Sequence, residues 1–291
     1  MDTEKCRALL CTIDTGSLSA AAEKLGYTPS GISRMMASLE ADAGFPLLVR
    51  SRSGVAPTAE CARLLPLIRS LCSLGDQFEQ AASEILGLES GVVTVGISSS
   101  GYYRWLSHLI SDFCKVYPKI EVRVLDGLSS ELTVAMEERR ADLCLISRRE
   151  GDFRWLPLAM EEMVAWVPEG HPAASGKAFP VSRFAVEPYI DIAHVSDTDC
   201  SRLFERNGIN PNIRFTANDS YAAYLMVEAG LGVSLNQSLV TRDWNGKVVI
   251  MPLDPPQPVE IGIAVPETLA PAARRFADFA AERAARTPRE L

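Results

Sequence analysis

At 291 residues, with 47% apolar and 23% charged side chains, the chain is long enough for two or three domains and has an ordinary globular composition. No apolar run approaches the roughly 18–20 residues that span a bilayer, and the opening Met1-Asp2-Thr3-Glu4-Lys5 is too polar for a secretory leader, so the sequence predicts a cytoplasmic protein with no membrane partner. The formal net charge of -8 argues against nucleic-acid binding, except that residues 1–58 hold six basic and six acidic side chains, which confines the acidic excess to the rest of the chain.

The first strong local signal is Leu18, Ala21, Ala22 and Leu25, spaced as one face of a helix. Ser17 or Ser19 can cap its start, and Gly26 can supply the left-handed turn at its end. Thr28-Pro29 then opens a second helix, with Ile32, Met35, Met36 and Leu39 on its apolar face. Two short helices joined by about three residues have helix-turn-helix geometry. This pattern places Thr28, Pro29, Ser30, Ser33 and Arg34 outward at the front of the second helix, where side chains can meet base edges and phosphates of duplex DNA. On spacing alone, a plain helical hairpin with a polar outer face is the alternative. The stretch Gly44–Arg50, followed by Ser51–Thr58, reads as a strand, a basic Gly-containing tip and a second strand, a β-wing that carries Arg50 and Arg52 toward phosphate or the minor groove.

The run from Gly16 to Thr58 resembles the N-terminal domain of the LysR-type transcriptional regulators. The resemblance rests on Gly16-Ser17, Ala21-Ala22, Leu25, Ser33, Leu39-Glu40, Gly44, Leu47, Arg50 and Thr58 at fixed offsets. Pro29-Ser30 stands where that family usually has Gln-Pro, Met35 replaces a common Gln, and Cys61 replaces a Gly. The first two departures remove amides that can read adenine, so the family's base preferences do not transfer.

From Thr58 to about Leu88 the pattern is helical, with Leu64, Ile68, Leu71, Gly75, Phe78, Ala82 and Ile85 forming a heptad-like seam. Such a seam needs a partner, and the resemblance implies the same helix of a second copy, in a homodimer or homotetramer. Packing against its own domain is the alternative. Gly75 and Pro66 predict a bend or weak point.

Residues 91–291 alternate apolar strands with amphipathic helices, which predicts an α/β unit with parallel sheets. Strands are expected near 92–97, 120–125, 142–147, 163–168, 189–192, 213–217, 232–235, 248–251 and 261–265. The resemblance implies two periplasmic-binding-protein-like lobes, one formed by 91–162 and 267–291 and the other by 163–266. The expected organisation is thus an all-α winged helix-turn-helix head over 1–58, a dimerisation helix over 59–90 and a two-lobed α/β regulatory domain over 91–291.

Strand-to-helix loops of such folds bind ligands. The candidates are Ser98, Ser99 and Ser100, whose hydroxyls precede a helix start, then Ser129, Ser147 and Arg148, with Asp197, Thr198, Asn218 and Asp219 from the second lobe. Several of these residues are equally explained as helix caps. A hydroxyl-rich helix start with a nearby arginine suits a small organic acid as effector. The segment from Gly96 lacks the final glycine of a GxSxG nucleophile elbow, and no acid–base–nucleophile constellation is apparent, so no enzymatic activity and no cofactor are expected. His108, His171 and His194 are dispersed and suggest no metal. The seven scattered cysteines read as reduced, mostly buried thiols, with a redox sensor built on Cys200 as the rival function.

Overall fold

The computed structural model describes residues 2–51, 54–85, 90–193 and 197–286. It contains two compact units, one within Met1–Ser90 together with Glu137–Arg140 and the other comprising Gly91–Met136 and Ala141–Leu291.

The first unit begins with α1 (Thr3–Thr15), α2 (Leu18–Leu25) and α3 (Pro29–Ala43). Their ends are set by local chemistry. The Ser17 hydroxyl accepts from Ala20 N at 3.3 Å, and the Thr28 hydroxyl accepts from Gly31 N at 3.1 Å ahead of Pro29. Gly16, Gly26 and Gly44 each close a helix in the left-handed conformation. Ala21, Ala22, Ile32, Met36 and Leu39 are buried together with Leu9 of α1, and Met35 packs at the edge of this core. Leu25 is partly open to solvent, because its helix ends at the surface.

Strands β1 (Leu48–Ser51) and β2 (Gly54–Pro57) form the expected antiparallel wing. The wing is tied to the helices at both ends. Glu40 Oε1 accepts from Leu47 N at 2.9 Å and Leu48 N at 3.2 Å, and Val55 N donates to Gly16 O at 2.8 Å. Gly54 sits at φ +121°, and a Cβ there would lie 2.7 Å from Gly16 O, so this close backbone approach requires glycine.

Helix α4 (Ala59–Ile85) runs unbroken through Pro66. Its start is capped by the Thr58 hydroxyl, which accepts from Cys61 N at 3.0 Å. The expected seam divides in two. Leu64, Ile68 and Leu71 pack into the head's own core beside the buried Cys61 and Cys72, while Gly75 backs onto α1, where a Cβ would lie 3.4 Å from Thr3 Cγ2. A second apolar stripe, about 70° around the helix, remains open. It comprises Leu67, Leu74, Phe78 and Ile85, at 67%, 59%, 76% and 86% exposure. Heptad spacing joins the two stripes because Leu71 and Phe78, seven residues apart, differ by only about 20° around the helix.

The second unit is built from β3 (Gly91–Ile97), α5 (Tyr103–Val116), β4 (Ile120–Asp126), α6 (Ser129–Glu137), β5 (Leu143–Ser147), β6 (Arg154–Pro168) and β7 (Phe179–Pro180). It continues through β8 (Tyr189–Ile192), α7 (Asp199–Arg206), β9 (Ile213–Ala217), α8 (Ser220–Glu228) and β10 (Ser234–Gln237). Strands β11 (Val248–Asp254) and β12 (Pro258–Val265) and helix α9 (Pro271–Arg286) complete it. One path of hydrogen-bonded strands runs β4-β3-β5-β12-β6-β11-β7, with β10 also on β6, and β8 pairs with β9 separately.

The sheet is mixed rather than parallel. β3 pairs in parallel with β4 and β5, but β12 is antiparallel to both β5 and β6, and β10 and β11 are antiparallel to β6. Strand β6 explains the difference. Its first half pairs with β12 and its second half with β10 and β11, so one 15-residue strand joins the two lobes. The strand extends nine residues N-terminal of the expected start at Met163, because Arg154–Glu162 mixes charged with apolar residues and carries no strand pattern of its own. The return crossing also falls earlier than residue 266, since Ile261, Ile263 and Val265 of β12 belong to the first lobe's core. Strand residues alternate between the two sheet faces as a pleat requires. Leu143 and Leu145 face Phe113 and Phe276, while Cys144 and Ile146 face Leu132 and Met136 of the α6 side. In the second lobe, Met163, Ala165 and Val167 face one core, and Val164 and Trp166 the other.

Candidate functional sites

The front of α3 is open. Thr28, Pro29, Ser30 and Arg34 are exposed and Ser33 is half-buried. The Thr28 and Ser30 hydroxyls lie 3.1 Å apart, and Arg34 Nε donates to Ser30 O at 3.4 Å, which lays the guanidinium along the first turn. Arg50 is exposed on β1, and Arg52 lies outside the described residues. The expected reading residues of α3 therefore share one solvent-facing helix end within a braced three-helix frame. Met35 is turned into that frame, so its departure from glutamine removes an amide from a partly packed position.

Between the two lobes of the second unit lies a cavity of about 560 Å³. Eight of the ten expected ligand residues line it: Ser98, Ser99, Ser100 and Ser129 from the first lobe, and Asp197, Thr198, Asn218 and Asp219 from the second. Ser147 and Arg148 do not. Ser147 is fully buried, and its hydroxyl donates to Asp199 Oδ2 at 2.5 Å. The Arg148 guanidinium turns away over the Trp155 ring, 4.8 Å from its centroid. It is Arg149 that enters the cavity wall, because consecutive residues leaving a strand point to opposite faces. Of the aromatic residues near the first loop, Tyr102 and Trp105 pack in the core, and Tyr103 lines the cavity.

A hydrogen-bonded chain organises the floor. Ser129 Oγ donates to Ser98 Oγ at 2.9 Å and accepts from Ser147 N at 3.1 Å. Ser99 Oγ donates to Gln237 Oε1 at 2.6 Å, and Gln237 Nε2 donates to Ser147 Oγ at 3.1 Å and Asp199 Oδ2 at 2.8 Å. Arg149 Nη2 donates to Asp199 Oδ1 at 3.0 Å. Ser130 Oγ donates to Asp197 O at 3.0 Å, a direct bond from one lobe to the other. The hydrogen bonds from Arg202, followed by its charge, hold the Asp197 carboxyl below the usual carboxylate range. Asp219 also caps α8, accepting from Ala222 N at 2.8 Å. Thr198 and Asp219 are thus helix caps and cavity lining at once.

Sequence reasoning missed Gln237 and Asp199, which join the two lobes' polar groups, and the wall residues Asp126, Glu131 and Trp244. Asn236 and Gln237 end an apolar strand just as Ser98 follows one, so the strand-end rule applied to β10 would have found them.

All seven thiols are free, and six are buried. Cys200 is 9% exposed and donates to Leu235 O at 3.4 Å, and burial pushes its thiol up to about 12. His171 lies 3.2 Å from Glu187, and His194 lies outside the described residues. No described helix is long and apolar enough to cross a membrane.

Two family models cover most of the chain. "Bacterial regulatory helix-turn-helix protein, lysR family" matches residues 3–62, and "LysR substrate binding domain" matches residues 86–285. The HTH-type transcriptional regulator YvbU of Bacillus subtilis is 26% identical over 92% of this chain and 94% of its own length. Among solved structures, full-length CbnR complexed with its target DNA aligns over 98% of this chain and all of that one, at a TM-score of 0.66 and 20% identity. Full-length OxyR C199D from Pseudomonas aeruginosa aligns over 98% and 94%, at a TM-score of 0.71 and 18% identity. These structures share the fold: an N-terminal winged helix-turn-helix followed by a two-lobed regulatory domain. With its head and its two-lobed unit each matched by the corresponding model, the chain belongs to the LysR family of bacterial helix-turn-helix regulators.

Proposed function

We propose that the protein is an oligomeric transcriptional regulator that binds duplex DNA through its head and a small-molecule effector in the cleft between its lobes. The observation that carries this reading is the open front of α3, with Thr28, Pro29, Ser30 and Arg34 presented together and the wing's Arg50 on the same unit. A recognition helix enters the major groove by this end, while wing arginines meet phosphate. Residues 1–58 read DNA, 59–90 pair two copies and 91–291 sense the effector. Such a role places the protein in the cytoplasm, with no catalytic step.

The open stripe of Leu67, Leu74, Phe78 and Ile85 suits pairing of α4 with the same helix of a second copy, and a tetramer would pair two such dimers. Pairing also answers the charge problem, since a neutral head binds phosphate weakly and two heads double the contacts. An occupant that bridges Ser98 and Ser129 on one lobe and Thr198 and Asp219 on the other would bias the angle between lobes, and through the oligomer the spacing of the heads.

A thiol switch at Cys200 is the competing reading. Its burial and raised pKa favour the unreactive protonated thiol, so the effector reading is preferred. Selection of duplexes from a random pool tests the DNA-binding proposal. Enrichment of a site with two related half-sites about one or more helical turns apart is expected; failure to enrich any sequence would overturn it.

A further inference from the structure

The cleft's own chemistry narrows what it holds, granted the effector-binding reading above. Among the described residues, five acidic side chains line it, Asp126, Glu131, Asp197, Asp199 and Asp219, against one basic residue, Arg149. Both terminal nitrogens of that guanidinium are already engaged, Nη1 with Arg148 O and Nη2 with Asp199. The Arg149 side chain is 5% exposed and pairs with Asp199, and the carboxylate of Asp197 pairs with Arg202. The other three acids are held by neutral donors only. Tyr103 Oη donates to Asp126 at 2.6 Å, Leu128 N to Glu131 at 3.0 Å and Ala222 N to Asp219 at 2.8 Å. Among the described residues none of these three has a cationic partner. An anionic effector would enter a cleft whose unbalanced charge repels it, whereas a cation would meet acceptors in place.

Two further features favour a particular kind of cation. Tyr103, Tyr221 and Trp244 line the same cavity, with the Tyr221 and Trp244 rings 5.2 Å apart, and aromatic faces beside carboxylates recognise ammonium groups. The deeply buried Arg149 also keeps an unmet donor, because its Nε has no hydrogen-bond partner. An occupant with an oxygen acceptor as well as an ammonium group answers both the acids and this donor. We infer that the effector is a small amine bearing an acceptor oxygen, an amino alcohol or an amino acid, and not a simple carboxylic acid. The acids are not legible as a group in the sequence because they come from the end of β4, from α6, from the start of α7 and from the cap of α8, and only the fold brings them to one cleft.

Thermal stabilisation of the full-length chain by aminobutanol, aminobutyrate, butyrate and succinate, each at matched concentration and low salt, tests this. The two amines should raise Tm, and the two anions should not. Asp219→Asn preserves the α8 cap, because asparagine also caps helices, and should weaken amine binding about tenfold by removing one charge-assisted hydrogen bond. Ser100→Trp, at an exposed cavity-lining position, should abolish the shift by filling the cleft. Stabilisation by the anions alone, lost in Ser100→Trp, would keep the cleft and overturn the amine. An amine shift that survives Ser100→Trp would overturn the cleft itself, and no shift from either amine would overturn the inference.

Discussion

Truncating Phe78 separates association from folding. The side chain stands 76% exposed on α4, midway along the stripe that begins at Leu67 and ends at Ile85. An aromatic side chain carries roughly 200 Å² of surface, so about 150 Å² is open to a partner. At about 25 cal/mol per Å² that is about 4 kcal/mol for each helix. Alanine retains one carbon of that surface, which leaves a loss of about 2–3 kcal/mol per copy, and a two-fold interface counts it twice. Phe78→Ala should therefore weaken dimerisation at least about a thousandfold, each decade being about 1.4 kcal/mol. Sedimentation equilibrium reads the dissociation constant directly. The head's own melting should not move when measured under monomeric conditions, because Phe78 is absent from its core. An unchanged dissociation constant would refute pairing through this stripe. A large fall in the monomer's stability would show that Phe78 packs within its own chain.

Glu40→Ala should destabilise the head by about 2 kcal/mol, since Leu47 N and Leu48 N lose their acceptor, whereas Glu40→Gln keeps one acceptor and should cost about half as much; chemical denaturation measures both. Burial raises the thiols of Cys144 and Cys200 from 9.0 to about 12. The unfolded chain then loses these protons before the folded one, so the contribution is full below pH 9 and declines as pH rises from 9 toward 12. At pH 10 each thiol should remove about 1.4 kcal/mol of the regulatory unit's stability. Cys144→Ala and Cys200→Ala should flatten this alkaline limb of the melting curve. Cys200 should also resist alkylation at neutral pH until the unit unfolds.

The head was legible because its signals are local. Ser17, Gly26, Thr28-Pro29 and Gly44 mark helix ends by side-chain and backbone chemistry that needs no tertiary partner, and the structure places caps at each. Helix α4 was legible as a helix but its seam was not. Ile68 and Phe78 both fit a heptad spacing, and only the position of α1 decides which stripe is already covered. The regulatory unit's strands were largely readable from apolar runs, but their directions were not. β6 serves both lobes and pairs antiparallel with β10, β11 and β12, which is a property of the assembled sheet. In the cleft, strand-end loops located Ser98, Ser129 and Asp219. The choice of Arg149 over Arg148, and the joining of Gln237 to Asp199 and Ser99, depend on side-chain direction and on segments far apart in the chain.

The front of α3 should bind duplex DNA electrostatically as well as sterically. The most direct test is fluorescence anisotropy with a selected duplex across a salt series, for the native chain and Arg34→Ala. Neutralised phosphates set the slope of log affinity against log salt. Losing one phosphate contact per head should reduce that slope by about one for each head, about two for a dimer. If Arg34 instead meets a base edge, affinity should fall with the slope intact and discrimination between duplexes should relax. An Arg34→Ala protein with native affinity, slope and sequence preference would show that this helix end does not bind DNA.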